Sequence, residues 1–484
     1  MNEAISLFWH DYETFGANPK IDRPAQFAGV RTDLNLNQID EPLQIYCQPA
    51  DDYLPNPEAC LITGITPQKA MQEGVSEFEF ISLIHAAFSK PGTCVVGYNS
   101  IRFDDEITRY TLFRNLFDPY AREWQNGNSR WDLIDLLRLV FVLKPETLIW
   151  PRKEDGSPSF KLEELTRLND IDHGQAHDAM SDVHATINLA KKIRQLCPDL
   201  YDYVFEHRQK QSVQKLLAEQ AGKPLLHVSS KYPASVGACS VVFPVARHPD
   251  NPNGTIVFDL RQDPMVLEVL SAEKIAERVF TSAVQLPEGV ARIGLKTVHA
   301  NKCPVIVPTS FMSGLSESHL KCLNLDGDQL RAHIRCIKEI EGLEAKIQAA
   351  FRKSEAFPVD SDPEFSLYSG DFLGRADRAA LDSVTAALRR EERPPVVSFQ
   401  DNRLEELVFR LKGRCFPRLL EDDEYERWEE HRKQRLMGNH ENGLLNFHAF
   451  FEQLQRLTAR PDLGTFERHV LEELRYYGES LIPY

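Results

Sequence analysis

Two carboxylates separated by one residue close an apolar run near the start of the sequence. Asp11 and Glu13 lie in the stretch ISLFWHDYETFG, which spans residues 5–16. Because residues i and i+2 of a strand point to the same side, both side chains project together if this run is a strand. Neighbouring carboxylates repel each other unless a positive charge lies between them, and a divalent cation is the simplest candidate. The pattern therefore predicts a metal site.

A third acid is expected close to this pair. Asp104 and Asp105 follow the apolar run 93–96, within the stretch NSIRFDDE. This run predicts a buried strand, and residues just past the end of such a strand in an open α/β sheet lie where ligands usually bind. Composition alone does not choose between the two aspartates.

A fourth acid and a histidine come from one segment, AHDAMSDVHAT, at residues 176–186. Asp182 follows His177 by five residues, a spacing that does not place both on one face of a continuous helix. We therefore predict that His177 lies in a loop, that Asp178 caps the helix, and that Asp182 lies one turn into it. Both His177 and Asp182 can then approach one site.

Four carboxylates and one imidazole suit a two-metal phosphoryl-transfer site. Magnesium prefers hard oxygen ligands, and two ions about 3.5–4 Å apart can stabilise both the attacking and the leaving oxygen. A histidine with an ordinary pKa of about 6.5 is suited to accept a proton from the attacking water.

The bulk composition limits the class of protein. A chain of 484 residues predicts two or three domains. The net charge of −16 argues against coating nucleic acid with the whole surface, although it leaves room for a local basic groove. The nine cysteines form no C-x-x-C pair, which excludes zinc-ribbon and thioredoxin motifs. With no apolar run long enough to span a membrane and no leader, we predict reduced thiols, a cytoplasmic location and no membrane association.

Hydrophobic patterns predict an α/β domain followed by a β-rich and then a helical region. Strand-like runs at 5–13, 26–32 and 43–47 indicate an antiparallel meander, and helical spacing follows at 80–88. The remaining predicted helices of this part cover 132–143, 161–169, 178–196 and 201–219. Short β runs at 225–229, 240–245, 255–259 and 304–308 favour a small barrel-like domain. Further helices are predicted at 326–351, 403–412 and 425–436, with a linker at 354–363.

The constellation Asp11-x-Glu13, Asp104, His177 and Asp182 resembles the DEDDh family of 3′–5′ exonucleases. Further motifs are similar to those of the bacterial exonuclease I group within that family, which acts on single-stranded DNA. These motifs are HDYETFG, DRPAQFA, LITGITP, FDDE, NSRWDL, AHDAMSDV, HANKCP and DRAA, and they extend over nearly the whole chain. The resemblance implies a ribonuclease H-like exonuclease domain at 1–198, an SH3-like domain with flanking helices at 199–353, and a helical C-terminal domain at 354–484.

The resemblance also implies roles for individual residues. Asp11, Glu13, Asp104 and Asp182 match the metal-binding acids, which favours Asp104 over Asp105, and His177 matches the general base. Two Mg²⁺ ions per site are expected, with Mn²⁺ as an alternative. The expected partners are single-stranded DNA and the C-terminal tail of single-stranded DNA-binding protein, the latter at an unassigned site, and the expected state is a monomer.

A processive nuclease must hold a strand through phosphate contacts and aromatic platforms, without reading its sequence. Besides Glu13, the candidates for substrate contacts are Leu61 and Thr63 in a loop that the family places at the terminal nucleotide, Lys161 as a basic contact, and Arg109, Tyr120, Trp124, Arg138, Tyr203, Lys296 and Asn301 along the groove.

Three functions remain open from the sequence. The first is a Mg²⁺-dependent 3′–5′ exodeoxyribonuclease that releases nucleoside 5′-monophosphates in DNA repair and recombination. The second is a DEDDh exoribonuclease acting on RNA 3′ ends, whose site chemistry would be the same. The third is a non-catalytic repair adaptor, which the retained acids and His177 argue against.

Overall fold

The computed structural model describes residues 5–174, 178–352, 362–370, 372–440 and 442–482. Within these residues the chain forms two compact units. The first unit contains the described parts of Met1–Ser129, Gly174–His184 and Phe357–Tyr484, and the second contains those of Arg130–His173 and Ala185–Ala356. The predicted boundaries after residues 198 and 353 stay a prediction. No helix among the described residues is long and apolar enough to cross a membrane.

The first sheet has five strands in the order β3-β2-β1-β4-β5. The strands are β1 (Ser6–Thr14), β2 (Pro24–Thr32), β3 (Leu43–Tyr46), β4 (Thr93–Gly97) and β5 (Ser129–Asp132). The pairs β1–β2 and β2–β3 are antiparallel, whereas β1 and β4 are parallel. The predicted antiparallel meander is therefore confirmed. β1 is buried along its whole length except at Asp11, which is partly buried, so the strand crosses the core before it reaches the acids.

Seven α-helices lie among the described residues between Pro57 and Leu196, and cap residues define several of their ends. They are α1 (Pro57–Thr63), α2 (Pro67–Glu73), α3 (Glu77–Ser89), α4 (Asp104–Arg114), α5 (Leu133–Leu143), α6 (Leu162–Leu168) and α7 (Ala179–Leu196). Asn56 caps α1 by accepting hydrogen bonds from two backbone N–H groups, and Thr66 caps α2. Gly64 ends α1 in the left-handed region, at φ +69°, where a side chain is disfavoured.

The second unit contains an antiparallel five-stranded sheet in the order β10-β6-β7-β8-β9. Its strands are β6 (Leu225–Val228), β7 (Cys239–Arg247), β8 (Gly254–Asp259), β9 (Leu295–His299) and β10 (Val305–Pro308). The predicted β-rich domain is confirmed, although β9 was not among the predicted strands.

The remaining helices lie in both units. They are α8 (Pro198–Glu206), α9 (Lys210–Glu219), α10 (Met265–Val269), α11 (Ala272–Phe280), α12 (Glu317–Cys322), α13 (Gly327–Glu339), α14 (Leu343–Phe351), α15 (Arg375–Leu388), α16 (Arg403–Cys415), α17 (Asp422–Met437), α18 (Phe447–Thr458) and α19 (Thr465–Ser480). The helix predicted at 326–351 is two helices, because Gly342 adopts φ +65° between them. The helix predicted at 201–219 is likewise divided into α8 and α9.

The early and late segments of the first unit share one hydrophobic core. Side chains around α1 and α2, such as Phe15, Leu54 and Cys60, belong to the same buried cluster as Phe450 and Leu474 from α18 and α19. This packing makes the C-terminal helices part of the same folded body as β1.

Buried ion pairs join the same segments. Glu364 is 1% exposed, and Arg23 at the start of β2 donates a hydrogen bond of 2.9 Å to it. Arg414 on α16 donates a further hydrogen bond, and Arg435 on α17 lies 3.0 Å away. Burial alone would raise the pKa of Glu364, but these arginines hold it well below its usual range. The carboxylate therefore compensates several buried cations.

Replacing Glu364 should strongly destabilise the first unit. We expect Glu364→Ala to lower the free energy of unfolding by about 3–5 kcal/mol, because it leaves buried guanidinium groups uncompensated. Urea unfolding followed by circular dichroism measures this change. Glu405→Ala, at an exposed position on α16, is the matched control and should cost less than about 0.5 kcal/mol. Equal urea midpoints of unfolding for the two variants would contradict a stabilising role of the ion pairs around Glu364.

Candidate active site

β1 brings the first two acids to one place. Asp11 pairs with Ala28 and Glu13 with Gln26 in the β1–β2 register, and a bulge follows Glu13. One carboxylate oxygen from each of Asp11, Glu13 and Asp182 lies within 4.8 Å of the other two. Residues 169 positions apart in the chain therefore meet as a group that could hold a metal ion.

The N-terminus of α7 positions the third acid of this group. The Asp178 carboxylate accepts hydrogen bonds from Ser181 N at 3.1 Å and from Ser181 Oγ at 3.2 Å. Asp182 N donates to the Asp178 backbone carbonyl at 3.1 Å. The predicted capping of α7 by Asp178 is confirmed, with Asp182 in the first turn. His177 lies outside the described residues, so its position stays a prediction.

Asp104 and Asp105 face different surroundings at the start of α4. The Asp104 carboxylate accepts a hydrogen bond of 3.3 Å from Tyr12 N, between the two acids of β1. The Asp105 carboxylate instead accepts a bond of 2.7 Å from Arg122 Nη2, and both residues are buried. Asp104 is therefore the aspartate of this pair that contacts β1, while its role as a metal ligand stays a prediction.

Burial and the neighbouring acids raise the pKa of both carboxyl groups of β1. Burial, followed by the charges of Asp104, Glu13 and Asp182, raises the pKa of Asp11 well above its usual range. Burial, then Asp182 and Asp178, raises the pKa of Glu13 to about 8. Without a cation the group therefore retains protons near neutral pH. Carboxylate oxygens are the hard ligands that suit Mg²⁺ or Mn²⁺, so this donor set fits the predicted metal.

Two polar residues beside the acids were not predicted as residues of the site. Asp178 was expected only as a cap, yet its charge also acts on Glu13. Gln26 lies opposite Glu13 across β1 and β2, and directly opposed residues share one face of a sheet. The strand register needed to find Gln26 is not visible in the sequence.

The candidate DNA contacts of the first unit differ in their exposure to solvent. Arg109 is buried, and its guanidinium donates to both Glu123 and Glu106 while it lies over the Tyr120 ring. Trp124 is 65% exposed. The structure thus places Arg109 in an intramolecular network and Trp124 at the surface.

Leu61 and Thr63 lie in the last turn of α1 and not in a loop as predicted, and both are partly buried. Leu61 packs against the hydrophobic cluster around α1. The Thr63 hydroxyl accepts a hydrogen bond of 3.2 Å from Ile65 N.

The candidates of the second unit are also distributed between surface and internal positions. Lys161 is exposed, with its amine 3.8 Å from Glu164, whereas Arg138 donates a hydrogen bond of 2.5 Å to Asp135. The Tyr203 hydroxyl donates to the Ile306 carbonyl. The Lys296 amine lies 4.6 Å from the centre of the Tyr232 ring, and the Asn301 carbonyl accepts a hydrogen bond from Arg130. Their contacts with DNA stay predictions.

Comparison with known proteins covers the full chain. Residues 8–190 match a family model described as Exonuclease, residues 208–353 match Exonuclease I SH3-like domain, and residues 361–481 match Exonuclease I C-terminal domain. Exodeoxyribonuclease I of Escherichia coli is 43% identical, with 99% of each chain aligned. The chain belongs to the exodeoxyribonuclease I family. The enzyme of the same name from Haemophilus influenzae is 41% identical over the full length of both chains.

Solved structures of the exodeoxyribonuclease I family agree with this fold. Exonuclease I from Methylocaldum szegediense has a TM-score of 0.92 at 48% identity, with 99% of this chain and 100% of that chain covered. E. coli Exonuclease I in complex with a dA16 oligonucleotide also has a TM-score of 0.92, at 40% identity and the same coverage. The expected exonuclease, SH3-like and C-terminal domains are thus confirmed.

The stability of the metal-free protein should fall as pH rises from about 5 to 8. Glu13 retains its proton up to about pH 8 in the folded protein, whereas its usual pKa is 4.5. The folded state therefore binds more protons in this window, and the free energy of unfolding decreases with pH.

Glu13→Gln removes this titration. In chelator, its melting temperature should fall less between about pH 5.5 and about pH 8.5 than that of the unmodified protein. Glu79→Gln, at an exposed position on α3, is the control and should behave like the unmodified protein. The same fall in all three proteins would contradict the raised pKa.

Proposed function

We propose that this protein is a Mg²⁺-dependent exonuclease that degrades single-stranded DNA from its 3′ end. The observation that carries the proposal is the approach of the Asp11, Glu13 and Asp182 carboxylate oxygens to within 4.8 Å of one another. Full-length similarity to enzymes named Exodeoxyribonuclease I supports DNA as the substrate, as does the oligonucleotide complex of the E. coli relative.

Asp11, Glu13 and Asp182 would hold the metal, together with Asp104. When bound, divalent ions stabilise negative charge on the attacking and leaving oxygens of the phosphodiester. The E. coli enzyme has also been solved with DNA in a zinc-bound form. We favour Mg²⁺ for this chain because its donors are carboxylates, and Mn²⁺ has the same ligand preference.

Side chains of the protein accept the proton of the attacking water and position the metal-binding acids. His177 accepts a proton from the attacking water, whose oxygen forms a bond to the terminal phosphorus. The bond from phosphorus to the 3′ oxygen of the preceding nucleotide breaks, and this oxygen takes up a proton from solvent, which releases a nucleoside 5′-monophosphate and leaves a new 3′ hydroxyl. Asp178 fixes the start of α7 through its bonds to Ser181, and thereby positions Asp182.

The solved structures of relatives also bear on the partners. A complex of Exonuclease I with single-stranded DNA-binding protein has been solved with an inhibitor, which supports the same protein partner here. We further propose that the chain acts as a cytoplasmic monomer in DNA repair and recombination. The relatives are named Exodeoxyribonuclease I, and the E. coli relative has been solved with a DNA oligonucleotide. This evidence weighs against the exoribonuclease and the adaptor.

Loss of a metal-site acid should abolish nucleotide release. We expect purified protein with Mg²⁺ to release mononucleotides from a 3′-labelled single strand and to stop when chelator is added. Asp182→Asn should remove this activity because its carboxylate belongs to the group of three acids. Asp199→Asn, at an exposed position on α8, is the control. Full activity of Asp182→Asn would refute the site.

His177→Ala tests the general base separately. We expect its rate to fall roughly 10²–10⁴-fold, the range typical for loss of general acid–base catalysis.

Matched DNA and RNA strands of one sequence, assayed side by side with a DNA duplex, test the substrate. Faster turnover of RNA would favour the exoribonuclease, and strand protection without product release would favour the adaptor.

A further inference from the structure

An ion pair is buried at the start of α4, next to the candidate active site. The Asp105 carboxylate accepts a hydrogen bond of 2.7 Å from Arg122 Nη2, and the two side chains are 2% and 0% exposed. Burial lowers the pKa of His10 on β1 to about 4, and the charges of Asp105 and Arg122 act on this imidazole in opposite directions. The pair therefore lies close to the strand that carries Asp11 and Glu13.

The pair holds one side of the first turn of α4. Asp104 and Asp105 are consecutive residues, so their side chains point in directions about 100° apart around the helix axis. The Asp104 carboxylate faces β1 and accepts a hydrogen bond of 3.3 Å from Tyr12 N, whereas Asp105 faces Arg122. Phe103, at the N-cap position, offers no side-chain hydrogen bond to this turn. The bonds of the two aspartates thus hold the turn from two sides.

Arg122 is itself fixed to the sheet that carries the acids. Its guanidinium lies over the Phe88 ring of α3, 4.9 Å from the ring centre. Its backbone carbonyl accepts a hydrogen bond of 3.4 Å from Asn128 Nδ2, and Asn128 Oδ1 accepts one of 3.0 Å from Thr93 N at the start of β4. Because β4 pairs with β1, Arg122 is held at a defined position relative to β1.

We propose that Arg122 is a positioning residue for Asp104. By holding Asp105, it fixes the rotation of the first turn of α4, and with it the direction in which the Asp104 carboxylate faces the metal site. Loss of a partner that orients a metal ligand from outside typically costs about 10–100-fold in metal affinity. Arg122 also neutralises Asp105 beside a group of carboxylates that already repel one another. The inference rests on the proposed function, in which Asp104 helps to hold the metal.

Metal binding to the full-length protein without DNA tests this role. The probe is Mn²⁺, and electron paramagnetic resonance measures its free concentration. We expect Arg122→Met to weaken Mn²⁺ binding about tenfold. Charge alone predicts the opposite result, because removal of a positive charge from the surroundings of the site would tighten the binding of a cation. Arg122→Lys keeps the charge and one donor for Asp105, and should restore most of the affinity.

The double variant Asp105→Asn/Arg122→Met separates positioning from charge and from misfolding. It leaves the net charge unchanged and no buried charge uncompensated, and it should also bind Mn²⁺ about tenfold more weakly. Asp118→Asn/Arg378→Met is the matched control, because it removes another ion pair of the first unit, with 3.2 Å between the charged atoms. It should bind Mn²⁺ like the unmodified protein. Circular dichroism checks that each variant folds, and the double variant decides if Arg122→Met does not.

Unchanged or tighter Mn²⁺ binding in the double variant, or an equal loss in the control, would overturn the inference. Failure of the proposed function would appear in a different measurement, as a lack of nucleotide release by the unmodified protein with Mg²⁺ although it binds Mn²⁺.

Discussion

Mutual repulsion among buried carboxylates is the constraint on which the rest of this structure depends. Asp11, Glu13 and Asp182 come together at one place, where burial raises the pKa of Asp11 and of Glu13 and the charge of Asp182 raises both further. Such a group persists only because β1 and α7 hold its members in place. The fold thus keeps in position an arrangement that is electrostatically unfavourable until cations enter, which is the condition that metal-assisted hydrolysis requires.

The scaffold that opposes this repulsion has its own buried charges, but of compensating sign. Arg23, Arg414 and Arg435 surround Glu364, and Arg114 forms two bonds of 2.8 Å with Glu77. Around Glu364 and Glu77 opposite charges are paired, whereas the candidate active site brings like charges together. The contrast distinguishes a cluster that stabilises the fold from one that we propose binds metal ions, although both consist of ionisable groups removed from solvent.

Local patterns were sufficient for the parts of the site that lie on single elements. The alternation in β1 predicted that Asp11 and Glu13 point together, and the His177–Asp182 spacing predicted the cap at Asp178. Asp104 was separated from Asp105 only by resemblance, because the difference between them is a tertiary contact with Arg122.

Features that depend on distant partners could not be predicted. The Arg23–Glu364 pair joins residues 341 positions apart, and no local sequence pattern indicates it. The hydrogen bonds of Arg109 to Glu123, 14 positions away, also depend on how the chain folds between the two residues. Nor could the packing of α19 onto α1 be predicted, because the residues involved lie far apart in the chain.

The shared core of the first unit also bears on biosynthesis. Phe15 and Cys60 leave the ribosome hundreds of residues before Phe450 and Leu474, yet all four belong to one buried cluster. Part of the apolar surface of the early segment therefore stays exposed until α18 and α19 have been synthesised. A prematurely terminated polypeptide would lack that covering and would be exposed to chaperones and proteases, so incomplete copies of a DNA-degrading enzyme would be removed before they could act.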